Sequence, residues 1–349
     1  MKSSYSEEDV VLLLKDISGM VEPLDTEERE KLIQAGKHYS EMLPIEYVPT
    51  EKYMTVYRES LEMYAKPVAL AVGNLSDKII ENKGKNVVLV SLARAGIPIG
   101  ILVKRYIKKK YQIDMPHYSI SIIRGRGIDD NAMRYLLGKY KSEQLLFVDG
   151  WIGKGAILNE LKKDIAEYEG VSADIAVIAD PANVTKLCGT HDDILIPSSC
   201  LNSTVSGLVS RTFLRDDIIG KNDFHGAVYY GNLKENDLSY DFIETIENEF
   251  EMNSGIEEKT ISGKGIDEVK GIADKFGVKD INLIKPGIGE ATRVLLRRMP
   301  WKILIDERYK GDSQLGHLIR LAEEKKVPVE YYPLTHYKCC GIIKKLADA

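Results

Sequence analysis

Leu145-Leu146-Phe147-Val148-Asp149-Gly150-Trp151-Ile152-Gly153-Lys154-Gly155-Ala156 predicts a buried strand, an acid at its carboxyl end and a glycine-rich turn into a helix. The helix is read from Ile157, Leu158, Leu161, Ile165 and Tyr168, which share one face at a period near 3.6. Backbone N–H groups and the positive end of a helix dipole suit a phosphate, and an acid beside them suits ribose hydroxyls. A Walker A loop is excluded, because Val148 stands where its first Gly belongs and Gly155 follows Lys154 in place of Ser or Thr. The order Gly150-x-x-Gly153-x-Gly155 also reverses a dinucleotide fingerprint. An ordinary strand-to-helix turn would use glycine in the same places.

Two further loops follow β-rich runs. Val87–Leu92 leads into Ala93-Arg94-Ala95-Gly96, with Pro98 suited to the first turn of the next helix. Small residues around Arg94 would let backbone amides approach a diphosphate while the guanidinium grips it. Tyr118–Ile123 leads into Arg124-Gly125-Arg126-Gly127-Ile128-Asp129-Asp130, which reads as a mobile cationic loop able to close over a leaving group.

The 145–156 run resembles the signature loop of type I phosphoribosyltransferases, with Gly150 in place of a second acid and no hydroxyls in the turn. Ser91–Gly96, His117–Asp129 and Phe147–Ala156 together resemble the phosphoribosyltransferase-like module of a bacterial two-domain family, StiP-type, found with tellurite-resistance and stress genes. Some members of that family carry a cysteine protease label. The resemblance implies an α/β fold: a type I phosphoribosyltransferase-like parallel sheet with an N-terminal helical cap. It also implies phosphoribosyl pyrophosphate and Mg²⁺. The 5-phosphate is expected on Gly150, Gly153, Lys154, Gly155 and Ala156, and the ribose on Asp149. The diphosphate is expected on Ala93, Arg94, Ala95 and Gly96, with Arg124 and Arg126 stabilising the departing charge. Asp129, Asp130 and Asp180 are candidate Mg²⁺ ligands.

Pro197–Thr212 is dense in hydroxyls and has helical apolar spacing at Leu201, Val205, Leu208 and Val209. Asn202, Ser203, Ser206 and Arg211 are candidate acceptor-binding residues there, since ligands of parallel sheets sit at strand carboxyl ends. A rival enzyme reading places a Cys–His pair in the same segment, Cys200 with His191 or His225. His336-x-x-Cys339-Cys340 lacks the second pair of a zinc site and reads as core thiols.

The chain has 349 residues, 44% of them apolar, enough for two full cores. It has no apolar run of about 20 residues, and the Met1–Glu8 start lacks a signal peptide's apolar segment, so the cytoplasm is expected. Residues 256–349 hold 18 Lys/Arg against 14 Asp/Glu, while the preceding residues hold 30 against 39. Glu235–Glu251 has seven acids and no base, which places a boundary near 252–258. The expected organisation is a helical cap over 1–80, a phosphoribosyltransferase-like domain over 81–252 and a third unit over 256–349. The cap includes helices starting at Ser6–Asp9 and at Pro67, and a Tyr53-Tyr57-Leu61-Tyr64 core stripe.

The third unit predicts helix 265–276, strands at 281–284, 302–305 and 328–332, helix 313–325, and a final turn and helix, an α/β/α sandwich. It resembles the Pelota-like RNA-binding family through Gly287, Glu290, Thr292 and Arg293 and through Glu323–Pro328. With Arg297 and Arg298, those four loop residues are the candidate RNA contacts. The expected activity is pentosyl transfer from phosphoribosyl pyrophosphate. The alternatives are a non-catalytic nucleotide-sensing or RNA-binding regulator and a Cys200 peptidase.

Overall fold

The computed structural model describes residues 1–252 and 262–344. Its centre is a parallel sheet in the order β1 (Val11–Leu12), β4 (His117–Ile123), β3 (Val88–Ala93), β6 (Leu145–Trp151), β7 (Ile175–Ala179) and β8 (Cys188–Thr190), with β5 (Gly127–Ile128) antiparallel to β4. Strands buried on both faces need no polar alternation. Accordingly, Leu89, Leu146, Val148 and Ala176 pack to one side, against α2 (Glu51–Lys83) and α3 (Gly96–Tyr111). Val88, Val90, Phe147 and Val177 pack to the other, against α4 (Asp130–Leu137) and α5 (Ala156–Ile165). The short strands β2 (Lys15–Asp16) and β9 (Gly226–Ala227) pair beside this sheet, α1 (Thr26–Gln34) follows β2, and α6 (Ser239–Asn248) packs on α2 and α3.

Gly96 lets α3 start against the end of β6, since a Cβ there would lie 2.3 Å from the Val148 carbonyl oxygen. Gly155 caps α5 at φ +86°, a left-handed backbone that favours glycine.

Several expectations are corrected. Ser6–Asp9 starts no helix: Ser6 Oγ and Asp9 close a turn, and the chain enters the sheet as β1. Pro67 opens no new helix but lies inside the 33-residue α2. The 197–212 segment forms 3₁₀ turns at Pro197–Cys200 and Ser203–Val205 in place of a helix, its hydroxyls and amides bonding locally. The expected boundary near 252–258 falls, beyond Met252, outside the described residues.

The C-terminal segment has a four-stranded sheet in the order β10 (Ile284–Pro286), β13 (Cys339–Ile343), β11 (Pro300–Ile305) and β12 (Val329–Tyr331). Helices α7 (Gly265–Phe276), α8 (Ile288–Arg297) and α9 (Gly316–Glu324) cover it. Among the described residues the last element is the strand β13, where a turn and helix were expected. It is antiparallel to β10 and β11, and its residues are buried throughout.

This segment does not stand apart. Ile288, Ala291, Leu295 and Leu318 belong to the same apolar cluster as α2 and α3. Along α2, the Tyr53 hydroxyl donates to the Leu296 carbonyl at 2.6 Å and the Tyr64 hydroxyl to the Gln314 carbonyl at 3.2 Å. Glu59 pairs with Arg320, and Lys52 with Glu324. The tyrosine stripe is thus largely core, and its hydroxyls also tie the two sheets together. Asp193 completes the join: its buried carboxylate accepts the Ile288 N–H at 3.0 Å and the Lys338 N–H at 2.9 Å.

Asp193→Ala would leave both N–H groups buried and unpaired, at about 1–3 kcal/mol each. Urea unfolding should show a loss of that order. Asp193→Asn, which keeps one acceptor, should lose clearly less.

Candidate functional site

The carboxyl ends of β3, β6 and β7 carry Arg94, Asp149 and Asp180. Asp149 Oδ1 accepts the Gly150 N–H at 2.8 Å. Burial pushes its carboxyl up to about 7, against the pull of that N–H and of Arg293. Near neutral pH the carboxyl is therefore held partly protonated.

The turn after β6 is covered by the C-terminal sheet. Lys154 donates to the Ile281 carbonyl at 2.6 Å and the Ile284 carbonyl at 3.0 Å, and the Tyr337 hydroxyl donates to the Gly153 carbonyl at 2.7 Å. Burial and the neighbouring Lys285 push the Lys154 ammonium down to about 8. A Cβ on Gly153 would meet Glu290 and the Pro286 carbonyl at 3.8 Å, and Gly150 faces the Ala95 carbonyl at 3.6 Å. The space expected for a 5-phosphate thus has protein against it at Gly153, whereas a Cβ on Gly155 would meet nothing within 4 Å.

The 124–129 loop is pinned, in contrast to the expected lid. Glu160 accepts the Gly125 N–H, Asp164 accepts the Ile128 N–H, and Arg126 pairs with Glu41. Arg124 points to Asn282 at 3.5 Å. The expected Mg²⁺ ligands are also engaged. Asp129 caps α4 and accepts the His225 N–H, Asp130 accepts the Tyr168 hydroxyl, and Asp180 Oδ2 accepts from Val184 and Thr185. Among the described residues, no group of three or more His, Cys, Asp or Glu side chains is arranged to hold a metal ion.

Three expected site residues do converge. Asn202 Oδ1 accepts from Arg94 Nη2 at 3.1 Å and from Arg297 Nη1, across the join, at 2.8 Å. Arg94 also donates to the Val209 carbonyl at 3.0 Å, and Arg297 to the Cys200 carbonyl at 2.8 Å. Ser203 donates through N and Oγ to Glu46, and Ser206 donates to the Asn202 carbonyl. Arg211 stacks over Tyr39 at 4.9 Å.

The α8 residues expected to meet RNA mostly face inward. Thr292 is fully buried against His317, Gly287 faces Asp193, and Arg297 serves the Cys200 loop. Glu290 pairs with Arg293 at 3.2 Å, and Arg293 lies over the Trp151 ring at 5.9 Å. Only Arg298, at the end of α8, is fully exposed.

The thiols differ in their surroundings. Cys200 is buried, its nearest polar partner is Ser60 Oγ at 3.8 Å, and burial pushes its thiol up to about 11. Neither expected histidine pairs with it: His225 meets Ser121 at 2.9 Å, and His191 meets a different cysteine. Cys339 and Cys340 are buried in β13, with thiols raised by burial.

Cys188 Sγ lies 3.4 Å from His191 Nε2, and His191 Nδ1 lies 2.8 Å from the Asp180 carbonyl oxygen. A carbonyl only accepts, so Nδ1 carries the proton and Nε2 is the unprotonated nitrogen; Sγ also lies 3.7 Å from Nδ1, so the sulfur sits over the ring and off the Nε2 lone-pair axis. The Asp180 carboxylate stands 3.9 Å from Nδ1, its Oδ1 without a hydrogen-bond partner among the described residues. The Cys188-Gly189-Thr190-His191 spacing stands in the sequence, and it pairs His191 with Cys188 in place of the expected Cys200.

Residues 3–247 match the family model "Tellurite-like stress resistance cysteine protease StiP", and residues 263–345 match "PELOTA RNA binding domain". The chain is 34% identical to "Cysteine protease StiP" of Acinetobacter baylyi (strain ATCC 33305 / BD413 / ADP1), over 98% of this chain and 94% of that protein. Among solved structures, a hypoxanthine-guanine phosphoribosyltransferase from Bacillus anthracis is 17% identical with a TM-score of 0.26, covering 36% of this chain and 71% of that one. The Helicobacter pylori xanthine-guanine-hypoxanthine phosphoribosyltransferase is 18% identical with a TM-score of 0.23, covering 38% and 77%. The expected pentosyl transfer, with its nucleotide-metabolism role, is overturned: the family and the full-length relative are named for a cysteine protease, a hydrolase. No helix among the described residues is long and apolar enough to cross a membrane.

The raised Asp149 carboxyl has a stability consequence. Its folded pKa of about 7 exceeds the ordinary value of 3.8, so its contribution is fully present below the ordinary value and is lost as pH rises through 7. Asp149→Asn, which mimics the protonated form, should gain about 1–3 kcal/mol over the parent at pH ~8 and little at pH ~4. An equal difference at both pH values in urea titrations would refute the assignment.

Proposed function

The chain belongs to the StiP family, and from that premise we propose that it is a cysteine-dependent peptidase whose nucleophile is Cys188. One observation supports this choice of thiol: the Cys188 Sγ to His191 Nε2 approach of 3.4 Å, with His191 oriented by Asp180. A cysteine nucleophile needs a base within reach and a third group that sets the base's tautomer. In this reading the thiol proton passes to His191 Nε2 and the thiolate adds to the peptide carbonyl carbon. The imidazolium then returns the proton to the departing amine, leaving a thioester. Water, losing a proton to His191, cleaves the thioester and restores the thiol. The Cys188 thiol is buried in β8, while the His191 side chain reaches solvent.

RNA contact is proposed for the C-terminal segment from its match to an RNA-binding domain. The supporting observation is an exposed aromatic and basic edge away from the join. Trp301 is 39% exposed and Met299 55%, and the Lys302 ammonium lies 5.0 Å from the Trp301 ring centroid, with Arg298 exposed nearby. Aromatic faces beside cations suit unstacked bases.

The peptidase is tested by hydrolysis of denatured casein. Cys188→Ala and His191→Ala should abolish it while Cys200→Ala retains it. Loss confined to Cys200→Ala would place the nucleophile elsewhere. For RNA, Trp301→Ala should weaken binding of a single-stranded oligonucleotide by about tenfold, the scale of one lost stacking contact. Unchanged affinity in a filter-binding titration would remove this edge from the reading.

A further inference from the structure

The Cys188–His191 pair does not stand on the parallel sheet alone. His191 Nδ1 donates to the Asp180 carbonyl at 2.8 Å, and the same carbonyl accepts the Asn183 N–H at 3.1 Å. Asp180 is also held by its own turn. Its N–H donates to the Thr190 carbonyl at 2.9 Å, and its Oδ2 accepts from Val184 N at 2.7 Å and Thr185 N at 2.8 Å. The 180–185 turn therefore fixes the acceptor on which the His191 proton rests.

The C-terminal segment grips that turn from the other side. Asn183 Nδ2 donates to the Gly263 carbonyl at 2.9 Å, and the Gly265 N–H donates to the Ala182 carbonyl at 2.9 Å. The fit at Gly265 is closed: a Cβ there would lie 2.1 Å from the Tyr337 hydroxyl oxygen and 2.9 Å from Ala182 Cα. Asn183 has a left-handed backbone at φ +55°, which Asn tolerates better than most residues. In that conformation its N–H turns back to Asp180 while its side-chain amide reaches Gly263. One residue thus links the acceptor of the His191 proton to the C-terminal segment.

The bond made at Nδ1 decides what Nε2 can do. If the Asp180 carbonyl shifts away, that bond no longer holds the proton on Nδ1, and an imidazole with its proton on Nε2 cannot take another there from a thiol. Contacts that served the join alone could fall on any loop of the parallel sheet. These fall on the residue that shares the His191 acceptor.

We propose that the C-terminal segment holds His191 in the tautomer that can accept the thiol proton, and that Asn183 is the positioning residue carrying this constraint across the join. The peptidase site is then incomplete without residues 263–265 seated on the 182–183 turn. The use of the pair rests on the peptidase reading, whereas the positioning is a property of His191 that can be read without hydrolysis.

The test is nitrogen NMR of the His191 imidazole in the isotope-labelled full chain, assigned with His191→Ala, beside casein hydrolysis. In the parent, Nδ1 should carry the proton. Asn183→Gly keeps the left-handed backbone and its N–H but removes the bond to Gly263. It should show mixed tautomers and lower kcat by about three- to tenfold, the scale of one neutral hydrogen bond, with KM little changed. Asn183→Asp keeps the size but turns an acceptor toward the Gly263 carbonyl, and should do the same. Gly265→Ala, acting from the C-terminal side, should also give mixed tautomers. Tyr53→Phe loosens the join elsewhere, at the Leu296 carbonyl, and should leave tautomer and kcat as in the parent. A merely structural Asn183 would lower the melting temperature of its variants while His191 kept the parent's tautomer. That outcome overturns the proposal, as does a Tyr53→Phe shift as large as that of Asn183→Gly. If the parent hydrolyses no casein the peptidase reading fails, and the tautomer comparison still decides the positioning.

Discussion

The two hydrogen bonds that Asp193 accepts from Ile288 and Lys338 hold the start of α8 and the start of β13 against the end of the parallel sheet. Two backbone N–H groups buried in that region need an acceptor, and the carboxylate supplies both oxygens. With α8 set there, Arg297 reaches Asn202, Lys154 finds the carbonyls of residues 281 and 284, and Gly153 lies under Glu290. The long helix α2 reinforces the arrangement because one helix touches both sheets. Its upper turns pack on β7 and β8, while Tyr53, Glu59 and Tyr64 reach α8, α9 and the Gln314 turn.

This closure redirects residues whose chemistry looked free. A glycine-rich turn at a helix start offers N–H groups to an anion only while nothing else fills the space in front of it. Here the C-terminal sheet covers it at Gly153 and Lys154, and the helix face that resembles an RNA-binding loop is turned toward protein. The same closure brings together guanidinium groups that are far apart in the chain. Their charge is met by Asn202 and main-chain carbonyls, neutral dipoles that soften the repulsion without cancelling it.

The four thiols show how surroundings decide reactivity. Cys200, Cys339 and Cys340 sit among apolar neighbours that disfavour the thiolate, so they behave as small core residues. Cys188 is equally buried, yet the chain turns after β8 and returns an imidazole to its sulfur. A carbonyl acceptor on the far ring nitrogen sets the tautomer, which distinguishes a base from a bystander.

The chain's own pattern determined what depends on near neighbours in sequence: the apolar runs of β3, β4, β6 and β7, the acid ending β6, the glycine turn into α5, and helix α7 at Gly265–Phe276. Those features follow from side-chain period and backbone freedom over a few residues. The same local rules misled at Pro67, at Ser6–Asp9 and over 197–212, where packing against distant segments outweighed helix signals. They also could not show that β13 enters the middle of the C-terminal sheet, because strand order depends on partners far along the chain. Only the tertiary structure decided which phosphate-like loops stay open, which arginines meet, and which cysteine has a histidine. A donor, a charge or a thiol acquires its role from the groups packed against it, and those can lie 243 residues away, as Tyr53 and Leu296 do.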